Sequence, residues 1–311
     1  MKKKLSVIVP CYNEEESLDS FYNEINKVSQ EMKELIFEFI FVDDGSHDKT
    51  LVKLKELSKK DERVRYISFS RNFGKEAAMY AGMENSTGDY VTIIDADLQH
   101  PPKLLIEMYD SIINEGYDCV ATRKGTRNDE SFFRTLFSKM FYKLINKISV
   151  IEMVDGACDY RLMTRKMINA ILSMKEYNRY SKGLFSFVGF KTKWIDFSPA
   201  DREHGQTKWN FWKLFSYAIE GIVGYSTKPL SLSIVFGILF NIAAFILLII
   251  VLVRRLVWLI PISSIILLAI LILIVSGIQL LCLGIVGIYM SKSYLEIKKR
   301  PVYVIKETEK D

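Results

Sequence analysis

Leu230 to Val253 runs without a charged residue, and after Arg254-Arg255 and Pro261 a second uncharged stretch runs from Ile262 to Tyr289. Each is long enough to cross a bilayer as a helix. A helix satisfies its own backbone groups inside lipid, where no water can. Two such runs suit the core of a soluble domain poorly, so they predict a two-helix transmembrane hairpin. Lys228 precedes the first run, and Lys292, Lys298, Lys299 and Arg300 follow the second, against Arg254 and Arg255 in the connecting turn. The heavier flanking charge predicts a multi-pass protein of the cell membrane with both termini cytoplasmic. The two turn arginines can snorkel.

Ahead of the hairpin, short apolar runs alternate with amphipathic stretches. Leu5 to Val9, Phe37 to Val42, Val64 to Phe69, Tyr90 to Ile94 and Cys119 to Thr122 read as buried strands. Between them, Glu14 to Glu34, Asp48 to Ser58, Lys75 to Asn85 and Leu104 to Asn114 read as helices. The spacing predicts an α/β fold with a doubly wound, mostly parallel sheet. The expected layout is a cytoplasmic domain over 1–207, an interfacial amphipathic helix over 208–228, the hairpin over 229–291 and a cytoplasmic tail over 292–311. A net charge of +5 over 311 residues, with no basic stripe interleaved with aromatics, argues against a nucleic-acid partner. Four scattered cysteines and three histidines argue against a disulfide framework or a zinc site.

Ligands of a doubly wound sheet bind at the carboxyl ends of its strands. Tyr12-Asn13-Glu14, Asp43-Asp44-Gly45-Ser46, Arg71-Asn72 and Asp95-Ala96-Asp97-Leu98-Gln99 all fall there. If Asp95, Asp97 and Gln99 stay extended, their side chains share one face. These oxygen donors suit a hard divalent cation, Mg²⁺ or Mn²⁺, with a phosphate-bearing substrate completing its shell. The competing reading is an acidic turn stopped by Pro101-Pro102. Two further segments, Ser131 to Ile148 and Lys208 to Tyr225, carry aromatic stripes beside lysines and arginines, a pattern suited to a membrane interface.

Taken in order, these motifs resemble family 2 glycosyltransferases of the GT-A fold, in the branch that acts on polyprenyl phosphates. The matching residues are Val9-Pro10-x-Tyr12-Asn13-Glu14, Asp43-Asp44-Gly45-Ser46-x-Asp48-x-Thr50, Arg71-Asn72-x-Gly74-Lys75, Gly88-Asp89 and Asp95-Ala96-Asp97-Leu98-Gln99-His100-Pro101-Pro102. Asp159-Tyr160-Arg161-Leu162, Arg202-x-x-Gly205-x-Thr207-Lys208 and the C-terminal spans ending near Lys299-Arg300-Pro301 complete the set. That branch includes dolichol-phosphate mannose synthases and bactoprenol glucosyltransferases.

The resemblance implies that Pro10, Tyr12, Glu14, Asp43, Arg71 and Asp95 bind the nucleotide-sugar, and that Asp95, Asp97 and Gln99 hold the divalent metal. It implies that Arg127, Arg202, Thr207 and Lys208 hold the acceptor phosphate. Asp159, with Asp97, Arg123 and Arg134, would serve catalysis. The implied reaction is inverting transfer of a hexose from UDP-glucose or UDP-GlcNAc to undecaprenyl phosphate in the membrane lipid. A homo-oligomer, a flippase and a downstream glycosyltransferase are the further partners it brings to mind. A phosphomonoester acceptor is largely ionised at neutral pH, so Asp159 is expected to orient groups at least as much as to accept a proton. The alternatives are a processive polysaccharide synthase, which Gln206-Thr207-Lys208-Trp209 matches loosely, and a non-catalytic nucleotide-sugar-binding membrane protein.

Overall fold

The computed structural model describes residues 2–125, 154–197 and 264–311, with isolated helical positions at 146 and between 239 and 253. In the first block the elements are β1 (Lys3–Cys11), α1 (Leu18–Glu31), β2 (Leu35–Asp43), α2 (Thr50–Lys60), β3 (Val64–Phe69), α3 (Lys75–Asn85), β4 (Tyr90–Ile93), α4 (Leu104–Glu115) and β5 (Cys119–Lys124). The second block adds β6 (Ala157–Thr164), α5 (Arg165–Ser173), α6 (Ser181–Phe187) and β7 (Thr192–Phe197), and the third adds α7 (Ser264–Ile297) and β8 (Ile305–Thr308). All five strands and four helices expected in the first block are present, with ends moved by a few residues.

The strands form one sheet in the order β7-β5-β6-β4-β1-β2-β3-β8. β4, β1, β2 and β3 run parallel, as do β5 and β7. Leu18, Phe21 and Ile25 of α1, Leu54 of α2 and Leu105 and Met108 of α4 form one core layer. Ala77, Ala78 and Met79 of α3 and Met167, Ile168 and Ile171 of α5 cover the opposite face. Both faces of the sheet are therefore buried, which is why its strands read as continuous apolar runs. The small residues of α3 let it approach closely: a Cβ at Gly82 would lie 2.2 Å from Cγ2 of Ile8.

β6 was absent from the expected strands, and it matters most to the site. It inserts antiparallel between β4 and β5. Its register pairs Tyr90 with Thr164 and Ile93 with Arg161. Asp95 and Asp159 each lie two residues beyond the last pair, Ile93 with Arg161.

The C-terminal third is corrected in one respect. Residues beyond α7, expected as a tail, belong to the sheet: β8 pairs antiparallel with β3. The Tyr303 ring stacks on Phe69 at 4.9 Å, and its hydroxyl donates to Glu84 at 2.6 Å. Glu307 and Glu309 pair with Lys55 and Arg65. Within α7, Ile274–Ile297 has the length and composition to cross a membrane and carries no buried apolar window. Of the first expected span, Leu239, Ile242, Phe245, Ile246, Ile249, Ile250 and Val253 are described; they are helical and exposed. Ser131 to Ile148, apart from Asn146, and Lys208 to Tyr225 lie outside the described residues.

Candidate active site

Three loops at the carboxyl edge are tied to one another by backbone N–H groups and short polar side chains. Asn13, at φ 55, donates its N–H to Ser46 Oγ (3.0 Å), and its Oδ1 accepts from His47 N (2.9 Å). Glu14 N donates to Thr50 Oγ1, Glu15 N to Asp48 Oδ2, and Lys49 N to Glu15 Oε2. Asp48 also accepts from Thr50 N, closing an Asx turn at the start of α2. Asp43 is buried, and its two oxygens accept from Ser46 N (3.0 Å) and the Ser68 hydroxyl (2.8 Å). Asp44 accepts from Phe73 N and Gly74 N. Burial outweighs those bonds and pushes its pKa up to about 6. Gly45 sits at φ +66, and a Cβ there would meet the Arg71 carbonyl carbon at 2.4 Å. The Asp-Asp-Gly-Ser motif thus fixes the β2–α2 loop against the β3–α3 loop, which a side chain at Gly45 would block. Pro10, Tyr12 and Glu14 stand half-buried along this cradle; Arg71 is exposed, with its guanidinium 4.0 Å from the Phe73 ring centre.

At the centre lies Lys75, the first residue of α3. Its Nζ is 2.7 Å from Asp95 Oδ1 and 2.8 Å from Asp159 Oδ2. Burial works against the Lys75 charge, but the Asp159 and Asp95 carboxylates prevail and raise its pKa. Its side chain is 42% exposed, so solvent tempers the burial cost and the contacts dominate. Burial alone would lift the Asp159 pKa; Lys75 and then Lys182 instead hold it well below the carboxylate range. An acid so depressed is a weak proton acceptor. The neighbouring Glu76 turns the other way: its Oε2 accepts from both the backbone N–H and the hydroxyl of Ser181. Burial, reinforced by the Asp159 charge, pushes the Glu76 pKa up to about 7.

The Asp95–Gln99 segment departs from the extended form considered above. β4 ends at Ile93, the chain turns through Ala96 and Asp97, and Leu98 adopts φ 56. Asp97 Oδ1 accepts from Gln99 N at 3.2 Å, an Asx turn that fixes the bend. Strand alternation therefore does not set the directions of Asp95, Asp97 and Gln99. Beneath the turn, His100 packs between Tyr160 and Phe197 with neither ring nitrogen hydrogen-bonded. Burial pushes its pKa down, which keeps it neutral. Among the described residues, no cluster of three or more His, Cys, Asp or Glu could hold a metal ion. Asp95 is bridged to Lys75 and Asp97 accepts from Gln99 N, so a cation here would compete with the Lys75 ammonium for Asp95; the oxygen donors are two carboxylates and an amide. That donor set fits a hard divalent cation whose remaining ligands come from a diphosphate.

Arg123 is half-buried near the end of β5 and forms a two-point pair with Asp196 of the neighbouring strand β7 (2.5 and 3.1 Å). Arg127, Arg134, Arg202, Thr207 and Lys208 lie outside the described residues. Sequence reasoning assigned no role to Lys75, Glu76 or Ser181. A signal did exist for Lys75: a cation at a helix N-terminus opposes the helix dipole and needs a local partner.

Residues 6–172 match the model for Glycosyl transferase family 2, a span containing Lys75, Asp95, Asp97 and Asp159. CsbB of Bacillus subtilis (strain 168), named as a glycosyltransferase, is 41% identical over 97% of this chain and 91% of its own length. The prophage bactoprenol glucosyl transferase homolog of Escherichia coli (strain K12) is 36% identical over 99% of this chain and 100% of its own. Among solved structures, glucosyl-3-phosphoglycerate synthase from Mycobacterium tuberculosis, with Mn²⁺, UDP-glucose and phosphoglyceric acid, aligns at a TM-score of 0.47 and 17% identity over 71% of this chain and 78% of that one. The family match and the near full-length relatives agree with the edge-of-sheet site: the chain belongs to glycosyl transferase family 2 and is a glycosyltransferase.

Proposed function

We propose that the enzyme transfers a hexose from a nucleotide-sugar, UDP-glucose or UDP-GlcNAc, to undecaprenyl phosphate, with inversion at the anomeric carbon. The relatives named bactoprenol glucosyl transferases, 36% identical over nearly the whole chain, support a polyprenyl-phosphate acceptor. One structural observation carries the reading. The foot of α7 is docked onto the segment leading into the site: Glu296 Oε1 accepts from Tyr177 N (2.9 Å) and Asn178 N (3.2 Å). Three residues later Ser181 is held by Glu76, next to Lys75. An apolar helix thus ends beside the charged centre, where a lipid phosphate and a soluble diphosphate could meet. The hairpin, with both termini cytoplasmic, belongs to this proposal, and the exposed apolar helical positions from 239 to 253 support its first span.

In the proposed reaction an oxygen of the lipid phosphate attacks the anomeric carbon, and the bond to the diphosphate breaks with its electron pair moving onto the diphosphate. The acceptor arrives mostly as a dianion, so no proton has to be removed. That frees Asp159 from acting as a base, in keeping with its depressed pKa. Asp159 instead orients Lys75, whose ammonium faces the charge developing on the leaving group. Asp95, Asp97 and Gln99 would hold a divalent cation, which when bound supplies Lewis-acid neutralisation of the diphosphate. Pro10, Tyr12, Glu14 and Arg71 line the nucleotide cradle, with Asp43 fixing its floor. Arg127, Arg202, Thr207 and Lys208 are proposed to hold the acceptor phosphate, and Arg123 and Arg134 to steady the donor.

The test is turnover of UDP-glucose, UDP-GlcNAc and GDP-mannose with undecaprenyl phosphate in detergent, with product mass. A single-sugar lipid product is expected, lost in Asp97→Ala. Polymer formation, or full activity and unchanged metal dependence in Asp97→Ala, refutes the assignment.

A further inference from the structure

We propose that a cavity at the foot of α7 is a second anion site, one that takes the phosphate of a membrane lipid. This rests on the reading that α7 crosses the membrane. The cavity, about 340 Å³, opens between the β3–α3 loop, the start of α3, the 177–179 segment and Val302.

Its level relative to the bilayer follows from α7. Met290 is the last residue of the long apolar stretch, and Lys292 comes two residues later. Lys292 Nζ donates to Asn178 Oδ1 at 3.1 Å, and Asn178 is a wall of the cavity. Charged residues just past a span sit among lipid headgroups. The cavity wall that Lys292 grips therefore lies at the level of the lipid phosphates.

Its chemistry follows from two guanidiniums. Arg71 stacks on Phe73 at 4.0 Å and donates Nη1 to the Asn72 carbonyl. Arg179 is buried, lies over Tyr80 at 4.3 Å and donates Nη1 to the Met174 carbonyl at 2.7 Å. Both line the cavity. Stacked, hydrogen-bonded guanidiniums are already oriented, so they lose little freedom on meeting an anion, and their planar forks match phosphate oxygens. Of the nearby carboxylates, Glu76 in the lining is engaged by Ser181 and Glu296 beyond the wall by backbone N–H groups, while Glu176 interacts with the Arg179 charge that an anion would share. The site shares Arg71 with the nucleotide cradle and parts from the Lys75 centre at Glu76: Lys75 turns to Asp95 and Asp159, Glu76 to Ser181. Two lipids carry phosphate at this level: the undecaprenyl phosphomonoester and an anionic phospholipid diester.

The experiment uses the full-length protein in phosphatidylcholine nanodiscs containing either undecaprenyl phosphate or phosphatidylglycerol. Lipid retained after detergent extraction is quantified by mass spectrometry, without turnover. Wild type is compared with Arg179→Gln, Arg179→Lys and Asn178→Asp, and UDP binding reports that each variant is folded. Asn178→Asp keeps the acceptor for Lys292 while placing a negative charge in the wall, so it tests the site even if loss of Arg179 unfolds the chain. Retention is expected to fall at least fivefold in Arg179→Gln and Asn178→Asp and less in Arg179→Lys. If the occupant is the acceptor lipid, undecaprenyl phosphate is the lipid lost and the acceptor KM rises at constant donor KM. If it is a phospholipid, phosphatidylglycerol is the lipid lost, at constant acceptor KM. Equal retention of both lipids by all four proteins, or a change confined to donor KM, overturns the proposal. Arg179-dependent retention by a wild-type protein that makes no lipid-linked sugar would remove the transfer reading and leave this site standing; the converse would remove the site alone.

Discussion

Replacing Lys75 with Met keeps a straight chain of similar length and removes an ammonium in contact with both Asp95 and Asp159. Two effects follow. Breaking a fully buried ion pair by deleting one partner costs about 3–5 kcal/mol. Lys75 is 42% exposed here, so solvent screens the orphaned carboxylates and the loss should be nearer 1–2 kcal/mol. The second effect is on rate. A preorganised donor facing developing charge is worth about 10²–10³ in kcat, and kcat/KM for sugar transfer should fall by that much. The two effects separate by pH. Asp159 has a folded pKa below its unfolded value, so its share of stability is present above about pH 4 and is lost as pH falls towards the folded pKa. Lys75 has a raised pKa, so its share persists until pH exceeds about 10. The Tm gap between wild type and Lys75→Met should hold steady from about pH 5 to 9 and shrink below about pH 4. A gap that fails to shrink at all between about pH 4 and pH 2, or a kcat/KM within threefold of wild type, would refute the role assigned to Lys75. Tighter Mn²⁺ binding by the variant at unchanged activity would show that the ammonium merely occupies a place the metal takes.

Gly45→Ala forces a side chain into backbone at φ +66 and against Arg71, so it should cost about 2 kcal/mol or more and raise the donor KM, measured by denaturant melts and UDP titration. Glu76→Gln can keep its acceptor for Ser181 but cannot ionise. Because burial raises the Glu76 pKa to about 7, wild type should lose stability as pH climbs from about 4.5 through 7, and the variant should be the more stable above pH 7 with no advantage below pH 4. A Tm difference of constant size across that window would count against this. Tyr303→Ala removes the stack on Phe69 and the bond to Glu84, with an expected loss of about 2–3 kcal/mol and release of β8 to limited proteolysis.

The parallel half of the sheet was legible because each strand there is buried on both faces and ends in a turn cluster. Val64–Phe69 and Lys75–Asn85 match expectation to the residue. β6 was not legible for a physical reason. Its sequence, Ala157 to Thr164, mixes Cys, Asp, Tyr, Arg and Met and lacks both strict alternation and a purely apolar run. Both faces pack on core layers, Tyr160 and Leu162 on one and Met163 on the other, and the second also carries Asp159 and the buried Arg161, whose guanidinium lies 3.7 Å from the Phe185 ring centre. β8 was missed likewise: Ile305–Thr308 is short and charged, the composition that protects a sheet edge.

The candidate site was half legible, and the missing half is the half that joins it. Asp95 and Asp159 were both singled out, yet no spacing rule connects residues so far apart in sequence. What connects them is the adjacency of β4 and β6, paired as far as Ile93 and Arg161, and Lys75, whose ammonium touches both carboxylates. Two negative charges so placed would repel unless a cation stood between them. Lys75 supplies it from a helix N-terminus, where a cation is otherwise disfavoured. The unfavourable local choice at α3 is thus explained by the unfavourable pairing at β4 and β6, each cancelling the other. Conflicts of this kind between local rules and the fold are expected where function imposes them, and together they mark this centre more sharply than either motif alone.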